Sequence, residues 1–308
     1  MNRDLTQGPV TKSMLLFALP MILGNLLQQC YNVADTLIVG QFLGSTALAA
    51  VGSSYTLMTF LTSILLGMCM GSGAVFSIRF GEGDLPRLKN SLSLSFLLIG
   101  GFTVALNVAV FLLIDPMMAL LQVPADVIPL MRSYLWVIFW GIGGTFLYNY
   151  FASLLRAVGN SATPLVFLGV SAVLNIVLDL VFVVAVPWGV AGAAFATSFS
   201  QWVSGVGLLV YTWKRMAHLR PSRQDVYWKK DRVGEIARFS LLTCVQQSVM
   251  NFGILMVQGL VNSFGTVVMA AFAAAVKIDS FAYMPVQDFG NAFSTFIAQN
   301  YGARRMDR

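Results

Sequence analysis

The sequence predicts an all-α polytopic membrane protein, and three observations carry that prediction. Of 308 residues 57% are apolar, only 10% are charged, and the uncharged stretches are long enough to span a bilayer. An ordinary soluble domain carries roughly 25% charged residues. Windows 13–34, 36–78, 90–114, 133–155, 157–178, 180–213 and 239–276 hold no Asp, Glu, Lys or Arg, and about 20 apolar residues cross the hydrocarbon as a helix. Buried helices of a large soluble core rarely repeat such lengths one after another.

Glycine, proline and polar clusters mark where the chain leaves the hydrocarbon. They divide the windows into eight spans: 13–39, closing at Gly40; 46–76, opening after Gly44; 91–114; 131–155; 163–186, closing at Pro187; 190–213, opening after Gly189; 239–262; and 268–299. Met1 to Lys12 are polar and no small-residue cleavage signature closes the first apolar run, so no removable signal peptide is read.

Basic residues orient the spans, because Lys and Arg in short loops are retained on the cytoplasmic side. Arg3 and Lys12, then Arg79, Arg87 and Lys89, then Arg156, then the cluster from Lys214 to Arg238, and last Arg304, Arg305 and Arg308 all fall on the N-terminal side. Arg132 is alone on the opposite side and Lys277 lies within the eighth span. The expectation is a multi-pass protein of the plasma (inner) membrane with its N-terminus cytoplasmic. The charge of +6 is then accounted for without nucleic acid: Trp213, Tyr227 and Trp228 among the basic residues of 214–238 form the ordinary interfacial pattern. Cys30, Cys69 and Cys244 lie inside apolar windows and His218 among charges, so neither a disulfide framework nor a Cys/His metal site is indicated.

Residue n and residue n + 221 echo one another across the basic linker: Gly44 with Gly265, Ala49-Ala50 with Ala270-Ala271, Phe60 with Phe281, Phe80-Gly81 with Tyr301-Gly302. Inverted or parallel repeats are common in secondary transporters. The organisation expected is a first six-helix lobe over 1–213, a basic cytoplasmic linker over 214–238, and an incomplete second lobe of two helices over 239–308. That is eight crossings of an expected twelve.

An ionisable side chain at mid-membrane costs about 2.5–3.5 kcal/mol to insert and marks a pathway or coupling site. Asp35 is expected roughly 7 Å, and Asp179 and Thr197 roughly 11–12 Å, from the outer surface at 1.5 Å per residue. Asn175, four residues before Asp179, shares its helix face. Three helices thus offer carboxylate, amide and hydroxyl oxygens at similar depth, a set that suits Na⁺ or a proton shared between two acids. Pro20 breaks the backbone ladder of the first span and is a candidate hinge. Lys277 and Asp279 in the eighth span, with Gln246 and Asn251 in the seventh, are candidate cavity residues. Asp288 shares the eighth span. There is no G-x-x-x-x-G-K-[ST] phosphate loop, no G-x-S-x-G and no H-E-x-x-H, so neither ATP drive nor hydrolase chemistry is supported. A gradient-driven carrier, not an enzyme, is the expectation, with no cofactor beyond the coupling ion.

At this point the residues resemble a family, the multidrug and toxic compound extrusion (MATE) transporters. The resembling stretches are Asn32-Val33-Ala34-Asp35-Thr36 leading to Gly40; Ala47-Leu48-Ala49-Ala50-Val51-Gly52; Arg156-Ala157-Val158-Gly159 with Pro164; Asn175-x-x-x-Asp179; Gly189-Val190-Ala191-Gly192-Ala193-Ala194 running to Ala196-Thr197; and Lys277-Ile278-Asp279-Ser280-Phe281 with Met284-Pro285. The resemblance covers nearly all of the chain and implies a C-terminally truncated member. It implies twelve helices in two lobes about a pseudo-two-fold axis, and antiport of organic cations or drugs against Na⁺ or H⁺. It further implies that positions matching Asp35, Asn175, Asp179 and Thr197 bind the coupling ion, and that the first helix bends at the position matching Pro20. One branch of the family carries a glutamate in its seventh span; here 239–262 holds Gln246, Gln247 and Asn251 and no acid, which favours coupling through the first lobe. The expected substrate is an amphiphilic organic cation, the expected surroundings membrane lipid, and the complete protein a monomer. The rival readings are a flippase for a lipid-linked saccharide, whose diphosphate would call for several cavity Arg or Lys residues, and a non-transporting scaffold.

Overall fold

Long helices stand where each of the eight spans is predicted. The computed structural model describes residues 4–121, 123–125, 127–262 and 266–308, without the side chains at 120, 223, 255 and 258–281. The order is α1 (Val10–Leu43), α2 (Ser45–Gly81), α3 (Leu85–Leu112), a short α4 (Ile114–Leu120), α5 (Ile128–Ile138), α6 (Ile142–Ala157), α7 (Ala162–Asp179), α8 (Val190–Arg215), α9 (Lys230–Asn262) and α10 (Thr266–Gly302). Helices α1 to α8 supply six crossings long and apolar enough for a membrane, α5 and α6 forming one of them. With 33 and 37 residues, α9 and α10 match them in length.

Backbone chemistry sets the ends. Gly44, at φ +87°, turns α1 directly into α2, a conformation that costs a side chain but not glycine. Asp84 caps α3 by accepting from the Arg87 amide at 3.0 Å, with Pro86 in the first turn. The first helix continues to Leu43, past the predicted end at Gly40. Asp35 therefore sits roughly 12 Å from the helix end rather than 7 Å, which brings it level with Asp179.

Two crossings are not plain α-helices, and neither departure is predicted. The fourth tightens into a 3₁₀ turn at Phe139–Gly141. Neighbouring side chains satisfy carbonyls there: Asn107 donates to Phe139 O at 2.7 Å, Trp202 to Trp140 O at 2.8 Å and Ser198 to Val137 O at 3.2 Å, as irregular backbone inside a bilayer requires. The fifth changes at Leu180, directly after Asp179, into a π-helical turn through Ala185.

Within the first lobe α6 and α8 cross at glycines. A Cβ on Gly205 would lie 2.6 Å from Gly144 O, the close approach that small residues permit in membranes. Phe96, Phe146 and Tyr150 interlock nearby, and the Tyr150 hydroxyl donates to Leu92 O at 2.6 Å. Leu112, Val104 and Val173 point outward, the face a lipid-solvated helix presents. The connection between α8 and α9 is shorter than the expected linker, because α9 begins at Lys230. It is pinned to α3 by Asn90, whose amide donates to Asp225 O at 2.7 Å and Tyr227 O at 2.9 Å.

Two seams join the first six crossings to α9 and α10. In the first, α2 runs antiparallel to α9 with backbones in contact. A Cβ on Gly67 would lie 2.5 Å from Cys244 Cα, and one on Gly71 2.4 Å from Phe239 O. Ser240 donates across it to Met68 O at 3.2 Å. In the second, α1 runs antiparallel to α10, and each step of four residues up α1 meets a step of four down α10. Phe17 and Met21 share an apolar cluster with Phe296 and Ala292. The next step joins Asn25 to Asp288 and the one after joins Gln29 to Met284.

At the basic end α2 and α10 touch, and the contact is reciprocal. A Cβ on Gly81 would lie 2.1 Å from Gln299 O and 3.1 Å from Ala303 N; one on Gly302 would lie 2.1 Å from Ile78 O and 3.1 Å from Glu82 N. Residues 78, 81 and 82 are those that the offset of 221 carries to 299, 302 and 303. A pseudo-two-fold axis passes between the two glycines.

Candidate ion-coupling site

Asp35 comes from α1, Asn175 and Asp179 from the end of α7, and Thr197 from α8. Helix geometry explains the grouping: Asn175 and Asp179 are one turn apart on α7, and α1 and α8 both pack against that helix. Asn175 and Asp179 are buried, while Asp35 and Thr197 are partly covered. The Asn175 amide donates to the Thr197 hydroxyl at 3.3 Å, and that hydroxyl donates to Ala193 O at 3.1 Å. The side chains of Asp35 and Asp179 lie within hydrogen-bonding reach of each other.

The oxygens left over define the chemistry. Oδ1 of Asp35, Oδ1 of Asn175 and both carboxylate oxygens of Asp179 are buried with no donor from the rest of the described residues. Two carboxylates cannot hydrogen-bond to one another unless a proton lies between them, and as bare anions at this separation they repel. Four acceptors from two helices, with the Thr197 hydroxyl alongside, form a small all-oxygen set. A hard monovalent cation or a shared proton fits it; among the described residues no group of three or more His, Cys, Asp or Glu could hold a metal ion.

Sequence reasoning missed two neighbours. Tyr134, buried on α5, lies close enough to feel both Asp35 and Asp179, and Tyr31, one turn before Asp35 on α1, lies near both Asp35 and Tyr134. A polar-tipped aromatic on the same stretch as the acids was the available signal for Tyr31. For Tyr134 no sequence signal pointed to the acids, because it lies only three residues into the predicted fourth span. The π-helical turn after Asp179 was not legible at all, and such turns gather at functional sites.

The other candidates fall elsewhere. Pro20 lies inside α1, which continues through it as helix. Gln246 is exposed, whereas its neighbour Gln247 is buried and directs its amide at the Met70 sulfur, 3.7 Å away on α2. Asn251 donates to Gln247 O at 3.0 Å within its own helix. Lys277 and Asp279 lie outside the residues whose side chains are described.

Known proteins resemble this chain in sequence and in fold. The MatE family model matches residues 20–181 and 241–308. The chain is 32% identical over 299 residues to a probable multidrug resistance protein, YpnP, of Bacillus subtilis (strain 168), covering 97% of this chain and 67% of that one. It is 26% identical to an FAD transporter of Shewanella oneidensis, covering 100% of this chain and 69% of the other. It superimposes on an outward-facing MATE family transporter of the MOP superfamily with a TM-score of 0.90 at 22% identity, covering 98% of this chain and 67% of that chain. The chain thus spans about two thirds of the length of these relatives. On the matched model, the sequence relatives and the fold, this chain belongs to the MatE family of membrane transporters.

Proposed function

We propose that the chain is the ion-coupling part of an antiporter that exports amphiphilic organic cations against Na⁺ or H⁺. The observation that carries this reading is the set of buried acceptor oxygens around Asp35 and Asp179 with no donor of their own. The basic end is cytoplasmic by the distribution of Lys and Arg, so the site opens toward the outside. Asp35 and Asp179 supply the charge, Asn175 and Thr197 neutral oxygens, and Tyr31 and Tyr134 cover the site. An arriving cation removes the repulsion between the carboxylates and draws α1 toward α7. Coupling follows only if the cation binds one conformation better than the other, since equal affinity shifts nothing. Loading disfavours the outward-facing, drug-bound state, and the drug leaves as the ion enters.

The test is efflux of an ethidium-type cation from vesicles carrying the full-length protein, under separately imposed Na⁺ and H⁺ gradients. Asp35→Asn and Asp179→Asn should each abolish gradient-dependent export while leaving membrane insertion intact; undiminished export in both variants sinks the assignment. FAD in excess belongs in the same assay, because one relative carries it by name, and inhibition by FAD instead of by organic cations would move the substrate class to anionic dinucleotides.

A further inference from the structure

Asp288 is a buried carboxylate that the ion site does not use. It is 3% exposed, on α10, and faces the first lobe. Its Oδ1 accepts from the Asn25 amide of α1 at 2.5 Å, and its Oδ2 is buried without a donor. Asn291 stands alongside, and Arg156, at the basic end of α6, is near enough to act on its charge. The Nε of Arg156 is itself buried and unpaired. A seam that only needed to stay shut would be cheaper with apolar side chains, because burying a charge costs far more than its pairing returns unless the geometry is good.

The placement on α1 is informative. Asn25 lies five residues above Pro20 and ten below Asp35, between the candidate hinge and the ion site. Below it α1 is held to α10 by Phe17, Met21, Ala292 and Phe296, and above it by the Gln29–Met284 contact at 3.1 Å. A rigid helix that carries a ligand for the ion at one point and a cross-lobe bond at another transmits displacement between the two. When the seam parts, Asn25 and Asp288 must both be rehydrated, so it opens fully or stays closed.

We propose that Asp288 is a positioning residue of the transport cycle, tying α1 to the second lobe through Asn25 so that the ion site and the basic-end seam switch as one unit. The inference rests on the ion-coupling reading above. The bond holds the basic end closed, whereas ion loading favours the opposite state; by linkage, breaking the bond raises the apparent affinity for the coupling cation.

The test uses the 308-residue chain in membranes, with Cys30, Cys69 and Cys244 replaced by Ser and a reporter, Ala292→Cys, placed in the α1–α10 seam on the basic-end side of Asp288, where Ala292 is 0% exposed. A membrane-impermeant maleimide is applied from the basic end, and binding of Na⁺ or H⁺ is titrated in the same preparation. Asn25→Leu and Asp288→Ala should each raise the labelling rate and the apparent cation affinity by about fivefold or more. Asp288→Asn, which keeps an acceptor for the Asn25 amide, should restore protection of the reporter. Should Asp288→Ala fail to fold, Asn25→Leu on the opposite lobe carries the test. Labelling within about twofold of the parent in Asn25→Leu and in every folded Asp288 variant overturns the proposal. If the parent shows no cation response while labelling still rises in Asn25→Leu, the ion-coupling reading fails and the tie between the lobes stands.

Discussion

Along α2 and α9 the two lobes meet backbone to backbone; along α1 and α10 they meet through side chains. The two seams are one another's repeat. The offset of 221 carries Asn25 to Gln246 and Gly67 to Asp288, so the position that is a bare glycine pressed on Cys244 in one seam is a buried carboxylate bonded to Asn25 in the other. A glycine contact is continuous and nonpolar, and parting it exposes a whole helix face. A side-chain bond is local, and water can replace it. The difference puts the separable seam on α1, the helix that also carries Asp35 and Pro20, and leaves α2 as the fixed partner.

Exchanging the two chemistries is the most damaging way to break this comparison. Gly67→Asp would drive a carboxylate into a site where even a Cβ meets backbone at 2.5 Å. Overpacking of about 1–3 kcal/mol adds to roughly 2.5–3.5 kcal/mol for the buried charge. The expected result is loss of folded protein, read as the yield of monodisperse material after detergent extraction. Normal yield and melting temperature would show that the α2–α9 seam is looser than its geometry.

Next in size are the paired glycines on the axis. In an unconstrained helix Gly→Ala gains up to about 1 kcal/mol, yet at Gly81 and Gly302 the added methyl would sit 2.1 Å from a carbonyl oxygen. Gly81→Ala and Gly302→Ala should each destabilise by about 1–3 kcal/mol. The double variant should cost less than the sum, because one displacement of α2 from α10 relieves both clashes. Thermal unfolding in detergent measures all three, and strictly additive losses would contradict a shared contact.

These glycines also show how far the sequence could be read. The echo of Phe80-Gly81 in Tyr301-Gly302 was legible as a repeat, but only the fold reveals that the echoing residues touch each other. The eight spans were legible because hydrocarbon admits few charges, and Asp35, Asn175, Asp179 and Thr197 because an acid in such a span is rare. That Asp35 and Asp179 face one another was expected from their similar depth, but how closely they approach was not legible, since it depends on α1 extending to Leu43 and on how α1 lies against α7. Asp288 was visible as an acid in the eighth span, but its partner was not: its counterpart is Gly67, so comparing the repeats gives no polar match, and Asn25 is 263 residues away.

A smaller effect tests the glycine seam without disturbing its backbone. Ser240 contributes a single hydrogen bond across it, to Met68 O, and such bonds between membrane helices average about 0.6 kcal/mol. Ser240→Ala should lower stability by about that amount, against the loss of cross-lobe coupling expected at Asn25. If Ser240→Ala opens the basic end as much as Asn25→Leu does, the distinction between a fixed and a separable seam is wrong.

The smallest effect lies outside the membrane, in the connection between the lobes. Asp225 accepts from the Ser222 amide and hydroxyl, both at 2.7 Å, and these donors hold its carboxyl below the usual carboxylate range. A group whose folded pKa is depressed contributes order above its unfolded value and loses it as pH falls through the folded one. The Ser222–Asp225 turn should therefore stay ordered at neutral pH and loosen only in acid, below the ordinary aspartate range. Since Asn90 clamps the adjacent carbonyls of Asp225 and Tyr227 to α3, loosening should stop at the turn. Hydrogen exchange at 220–224 should rise in acid and that at 226–229 should not; a rise across both would mean that the turn, not the Asn90 clamp, holds the linker against the first lobe.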